Sequence, residues 1–136
     1  MNQFRHERIH PPEISKTGRV YKYRMLEEYL HYIGFRKGAT ADLDFLSLDK
    51  LGILTIRKGY AWDGPSGPAL DTTNFIRGSA VHDSIYQLIR MGILPMKARR
   101  RADKILRKII REDGMNRFRA FRVYLAVRMF GRKSAR

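Results

Sequence analysis

In the stretch VHDSIY, His82, Asp83 and Tyr86 fall at i, i+1 and i+4, and Asp103 follows 21 residues after His82. An imidazole exchanges protons near neutral pH. A carboxylate that accepts a hydrogen bond from one ring nitrogen fixes the tautomer and leaves the other nitrogen to take a proton from water. Asp103 and His82 are candidates for such a dyad, with Tyr86 on the same helical face as His82. Upstream, Asp63-Gly64-Pro65-Ser66-Gly67-Pro68 sets two glycines and two prolines behind an acid. Glycines admit close approach of backbone carbonyls, and prolines lower the cost of ordering a loop. Carboxylates of Asp83 and Asp63, with oxygens of the Gly64, Ser66 and Gly67 stretch, suit a hard cation such as calcium. Such a cation would polarise an ester carbonyl and stabilise the oxyanion formed on attack.

Plainer roles stay open beside these. His82 fits a core imidazole bonded to a backbone carbonyl. Asp103 has Arg99 and Arg107 at i−4 and i+4 and fits a salt-bridge partner on a wet helix face. Asp63 fits a turn cap, and Tyr86 and Trp62 fit the core. Cysteine sites are excluded, since the chain has none, and no P-loop, dinucleotide fingerprint or zinc finger occurs. His6 and His10 have i, i+4 spacing without a third ligand.

The elements that must position these residues divide by period. Residues 1–18 read as an irregular arm broken by Pro11-Pro12 and Gly18. From Val20 the chain reads as β, although Met25 to Tyr32 also fits a helix. Asp44 to Asp49 alternates with period two, Lys50-Leu51-Gly52 reads as a hairpin turn, and Gly52 to Tyr60 is β-branched and apolar. Residues 20–58 are therefore predicted to form a small antiparallel meander, and 59–72 a rigid loop.

Over 73–130 the period becomes 3.6 and predicts three helices. The first runs from Asn74 to Met91, with Thr72 or Thr73 as N-cap, Gly92 as C-cap, and Ile76, Ala80, Ile85, Leu88 and Ile89 inward. The second starts near Pro95 and runs to about Asp113, with Ala98, Ala102, Ile105, Leu106, Ile109 and Ile110 inward. The third is capped by Asn116, runs to Phe130 and buries Phe118, Phe121, Tyr124, Leu125 and Met129. The short Gly92 to Pro95 connection makes the first two helices antiparallel neighbours. His82 lies about ten residues before that turn and Asp103 about eight after it, so at 1.5 Å per residue they stand at similar height. The fold class is α+β, in one domain of 136 residues.

The chain carries a formal net charge of +15. From Lys97 to Arg136 there are 15 Lys/Arg against 3 Asp/Glu, a net of +12. Such a block attracts an anionic membrane surface or nucleic acid, or serves as a solvated face. Arg117, Arg119, Arg122 and Arg128 interleave with aromatic residues on the third helix and are the candidates for binding an anionic partner. The N-terminal stretch has no apolar h-region, and no apolar run nears 18 residues.

Two resemblances follow from these motifs. From Leu54 to Gly131 the chain resembles an uncharacterised family of tailed phages and prophages, the domain of unknown function 1353. The shared features are Asp63 to Pro68, the H-D-x-x-Y of His82 to Tyr86, the R-x-x-A-D of Arg99 to Asp103, and Tyr124 to Gly131. This implies a phage protein located in the host cytoplasm or the virion, and no particular activity. H-D-x-x-Y after a glycine loop, with Ala102-Asp103 following, is also similar to secreted phospholipases A2, closest to the cysteine-free parvovirus type. That resemblance implies His82 as base, Asp103 as its orienting partner, Tyr86 in support, and calcium at Asp83 and the Gly64 to Gly67 carbonyls. The inserted Asp63-Gly64-Pro65-Ser66 departs from the pattern. The expectation is a calcium-assisted lipid esterase acting on envelope lipid. The alternative is a non-catalytic virion or assembly protein whose basic face meets DNA or another virion subunit.

Overall fold

The structure is a computed structural model that describes residues 2–34, 39–64 and 72–136. It is α+β, with antiparallel strands in two sheets followed by three helices. Contacts divide the chain into two compact units, Met1–Ser66 and Gly67–Arg136.

In the first unit, β1 (His6–Ile14) pairs antiparallel with β2 (Val20–Met25), which pairs in turn with β7 (Ala61–Trp62). The second sheet has the order β3-β6-β5-β4, built from β3 (Tyr29–Tyr32), β4 (Ala41–Asp42), β5 (Leu46–Leu48) and β6 (Ile53–Ile56). The meander expected over 20–58 is thus split between two sheets: β2 lies in the first, and in the second β4, β5 and β6 are consecutive neighbours while β3 pairs with β6. The stretch from Met25 to Tyr32 is not helical: it holds the end of β2, a bend at Leu26 and Glu27, and β3.

The irregular arm expected over 1–18 is corrected as well, because half of it, His6–Ile14, is β1. Pro11 and Pro12 cannot donate to a ladder, yet β1 is an edge strand and its register shifts between Arg8 and Glu13. An edge and a bulge are the two places where a sheet tolerates proline. The 50–52 turn forms as expected. It is held by the Asp49 side chain, whose Oδ1 accepts from Leu51 N–H at 2.9 Å and Ile53 N–H at 3.0 Å. Met25, Ile33, Leu46, Leu54, Ile56 and Trp62 are buried in this unit.

In the second unit, α1 (Thr73–Arg90) follows Thr72, which holds the N-cap position without a side-chain cap. Helix α1 buries most of its residues from Phe75 to Ile89 and leaves Arg77, Asp83, Gln87 and Arg90 partly exposed along one side. After Gly92, α2 (Ala98–Glu112) starts three residues beyond Pro95. It buries Ala98, Ala102, Leu106, Ile109 and Ile110, while Ile105 is only half-buried. Helix α3 (Arg117–Phe130) is capped by Asn116, whose Oδ1 accepts from Arg119 N–H at 2.8 Å. A 3-10 turn, Gly131–Ala135, ends the chain.

Helix α3 does not bury the face expected of it. Ala120, Val123 and Val127 pack against Phe75, Leu106 and Ile110, whereas Phe118, Phe121, Leu125 and Met129 are exposed and Tyr124 is half-buried. Small inward residues let α3 lie close to α2, and the larger apolar row turns outward.

Helices α1 and α2 meet closely at Gly78. A Cβ there would sit 2.8 Å from Ile110 Cγ2 and 2.9 Å from Leu106 Cδ1. Alanine favours a helix over glycine by about 1 kcal/mol, but overpacking a core costs about 1–3 kcal/mol. Gly78→Ala is therefore expected to lower the unfolding free energy by about 1 kcal/mol, read as a lower denaturant midpoint. An unchanged or raised midpoint would contradict this packing.

Candidate functional site

The site grows from the α1–α2 pairing. His82 and Tyr86, one turn apart on α1, both face α2, and their rings lie 4.1 Å apart between centroids. Asp103, on α2, is completely buried. Its Oδ1 accepts from Tyr86 OH at 2.6 Å and lies 2.7 Å from His82 Nε2. Its Oδ2 accepts from Arg128 Nη1, on α3, at 2.7 Å and stands 3.8 Å from Arg99 Nη2. Arg99, one turn before Asp103, donates from Nε to Tyr86 OH at 3.2 Å. Its Nη2 donates to the carbonyls of Val127 at 2.8 Å and Arg128 at 3.1 Å. One carboxylate thus joins three helices, and two arginines offset its burial.

The geometry fixes the tautomer. An ionised carboxylate can only accept, so the neutral imidazole carries its proton on Nε2 and leaves a lone pair on Nδ1. The nearest acid to Nδ1 is Asp83 Oδ1 at 3.9 Å, too far for a hydrogen bond. No hydrogen bond to Nδ1 is found among the described residues. His82 as a whole is only 7% exposed, so any approach to that nitrogen is narrow.

Burial opposes a charge on His82, but hydrogen bonding to Asp103 and the nearby Asp83 outweigh it and raise its pKa above the ordinary 6.5. Burial likewise opposes the charge on Asp103. The hydrogen bonds from His82, Tyr86 and Arg128 outweigh that and hold its pKa below 3.8. Burial, then the bond to Asp103, pushes the Tyr86 hydroxyl well up, so it remains a donor. The stabilisation from His82 is complete below 6.5 and fades as pH rises through its raised folded value. That from Asp103 is complete above 3.8 and fades as pH falls through its lowered folded value. The pair therefore contributes most between 3.8 and 6.5. In the first unit, burial lowers the pKa of His6 instead. An NMR titration is expected to find His82 above 6.5 and His6 below it. His82 titrating below His6 would remove the electrostatic account of the network.

The other expected site residues are distributed as follows. Asp83 is half-buried on α1. Asp63 and Gly64 belong to the first unit, while Ser66 and Gly67 lie outside the described residues. Gly64 has φ +70, and a Cβ on it would lie 2.5 Å from the Tyr23 ring, so its glycine has a local packing reason. Among the described residues no group of three or more His, Cys, Asp or Glu is placed to hold a metal ion. Asp83 offers one carboxylate, short of the six to eight oxygens calcium takes.

Of the four third-helix arginines, Arg128 points inward to Asp103, and Arg119 donates to Thr72 Oγ1 at 3.2 Å. Arg117 lies over the Phe118 ring at 5.3 Å, and Arg122 is exposed.

Two contributors escaped the sequence reading. Arg128 is remote in sequence from the dyad and read as a surface cation. Gly131 entered the sequence reading only as the end of the Tyr124 to Gly131 motif, yet a Cβ there would lie 2.6 Å from Tyr86 OH, so its bareness admits that hydroxyl to the end of α3.

These features define an α+β protein whose helical unit is organised around a buried His-Asp-Tyr-Arg network. The chain belongs to the family described as a protein of unknown function (DUF1353), whose profile matches residues 39–127. No curated protein and no solved structure matches it.

Proposed function

We propose that the protein is a phage- or prophage-encoded ester hydrolase of the phospholipase A2 type, acting on envelope lipid. The observation that carries this reading is the His82–Asp103 pair: Nε2 is tied to a buried carboxylate, which leaves the Nδ1 lone pair as the ring's base. In the proposed reaction Nδ1 takes a proton from water as the water oxygen bonds to the ester carbonyl carbon. Asp103 stabilises the imidazolium that forms. The C–O ester bond then breaks, and the proton passes to the leaving alkoxide, giving fatty acid and alcohol. Tyr86 holds Asp103 in place for this step. A calcium ion with Asp83 as one ligand would supply charge for the oxyanion.

The test is fatty-acid release from anionic phospholipid vesicles, with calcium and with chelator. Release that chelator abolishes supports the hydrolase and its cation. Release that survives chelator supports the dyad without calcium. A second reading is favoured by Arg99 and Arg128, which tie the same network to α3. In that reading the network is a lock in a non-catalytic virion or assembly protein. No release from the folded protein under any condition would establish the lock over the hydrolase.

A further inference from the structure

We propose that the outer face of α3 docks the protein onto an anionic membrane surface. Helix α3 has two apolar faces about 180° apart at 100° per residue. The inner one, Ala120, Val123 and Val127, completes the core. The outer one, Phe118, Phe121, Leu125 and Met129, follows i, i+3, i+7 and i+11 and meets solvent. Phe118 is 71% exposed, Phe121 43%, Leu125 40% and Met129 70%. A contiguous row of large apolar side chains at this exposure marks an interaction surface.

The surrounding charge selects the occupant. Residues 97–136 hold 15 Lys/Arg and 3 Asp/Glu. Guanidinium groups stand directly on the apolar row: Arg117 lies 5.3 Å over Phe118, and Arg107 lies 4.9 Å over Phe121. Arg122 is exposed beside them, four residues on from Phe118. Aromatic and aliphatic residues bordered by arginine fit the boundary between acyl chains and anionic head groups. A nucleic-acid backbone would pair with the arginines but give Phe118 and Met129 no apolar medium. A second copy would bring the same positive charge to the contact. No helix among the described residues is long and apolar enough to cross a membrane, so α3 would lie in the interface plane.

This surface stands independently of the hydrolase reading, and the experiment keeps the two apart. The full chain is sedimented with vesicles of ether-linked phosphatidylglycerol in phosphatidylcholine, and with ether-linked phosphatidylcholine alone. Ether lipids present the same head groups with no ester to cleave. Partition is expected to favour the anionic vesicles by at least about tenfold. The variant Phe118→Gln/Leu125→Gln/Met129→Gln, with unchanged circular dichroism, is expected to lose on the order of 10–100-fold in partition. Arg117→Gln and Arg122→Gln are each expected to lose about fivefold. Equal binding to both lipids, or wild-type binding by the triple variant, overturns the proposal. So does binding to duplex DNA without binding to vesicles, or a dimer that the triple variant abolishes.

Discussion

Asp103→Ala is expected to lower the unfolding free energy by about 3–5 kcal/mol, the cost of removing one partner from a buried charge network. The size follows from what is left behind. Tyr86 OH, His82 Nε2 and Arg128 Nη1 all converge on one carboxylate at 2.6–2.7 Å. Without it, the Arg128 and Arg99 guanidinium groups beside Oδ2 lose the buried negative charge they face. A small protein has about 5–15 kcal/mol in total, so this single change consumes much of it. Tyr86→Phe removes only one hydrogen bond and is expected to cost about 1 kcal/mol. Denaturant unfolding of both variants measures the contrast. An Asp103→Ala loss no larger than that of Tyr86→Phe would mean that the network is not what joins the helices. Asp103→Asn gives an intermediate case: its carbonyl oxygen can still accept from Tyr86, but its amide turns a donor toward Arg128.

The same network shows what the sequence could reveal. The pairing of His82 with Asp103 is legible in the sequence because both sit on helices joined by a short turn, and helical rise is constant enough to count along. Arg128 was not placed there, since its contact with Asp103 depends on how α3 is rotated, and periodicity reports only that a helix has an apolar stripe. It does not say whether that stripe meets the core or solvent. On α3 the stripe of Phe118, Phe121, Leu125 and Met129 is genuine and faces outward. The core takes Ala120, Val123 and Val127 instead, a second apolar stripe on the opposite side of the helix that periodicity cannot rank against the first. The rotation is pinned at the far end, where Gly131 abuts Tyr86 and Arg128 reaches Asp103. Strand β1 was missed for a different reason. Proline was weighed as a breaker, which is sound for a central strand and not for an edge. Of the loop opened by Asp63, only Asp63 and Gly64 fall within the described residues.

His82→Gln is expected to lower fatty-acid release by about 10²–10⁴-fold, the range a positioned general base supplies. Glutamine is the informative substitution because its side-chain amide can still donate to Asp103 Oδ1, where His82 Nε2 stands at 2.7 Å. The carboxylate keeps a partner, and what disappears is the lone pair on Nδ1. Lost activity with a retained denaturant midpoint then separates chemistry from folding, which an Asp103 variant cannot do. The pH profile adds a constraint. A raised pKa on His82 keeps the ring protonated at pH values where an ordinary histidine is already a base. Wild-type activity is therefore expected to rise with pH along a limb lying above 6.5, while the stabilisation contributed by the pair declines over that limb. The proton that strengthens the fold is the one that blocks the base. A profile that falls through this range, or a His82→Gln variant that releases fatty acid at the wild-type rate, would move the proton acceptor elsewhere and leave the dyad a purely structural clasp.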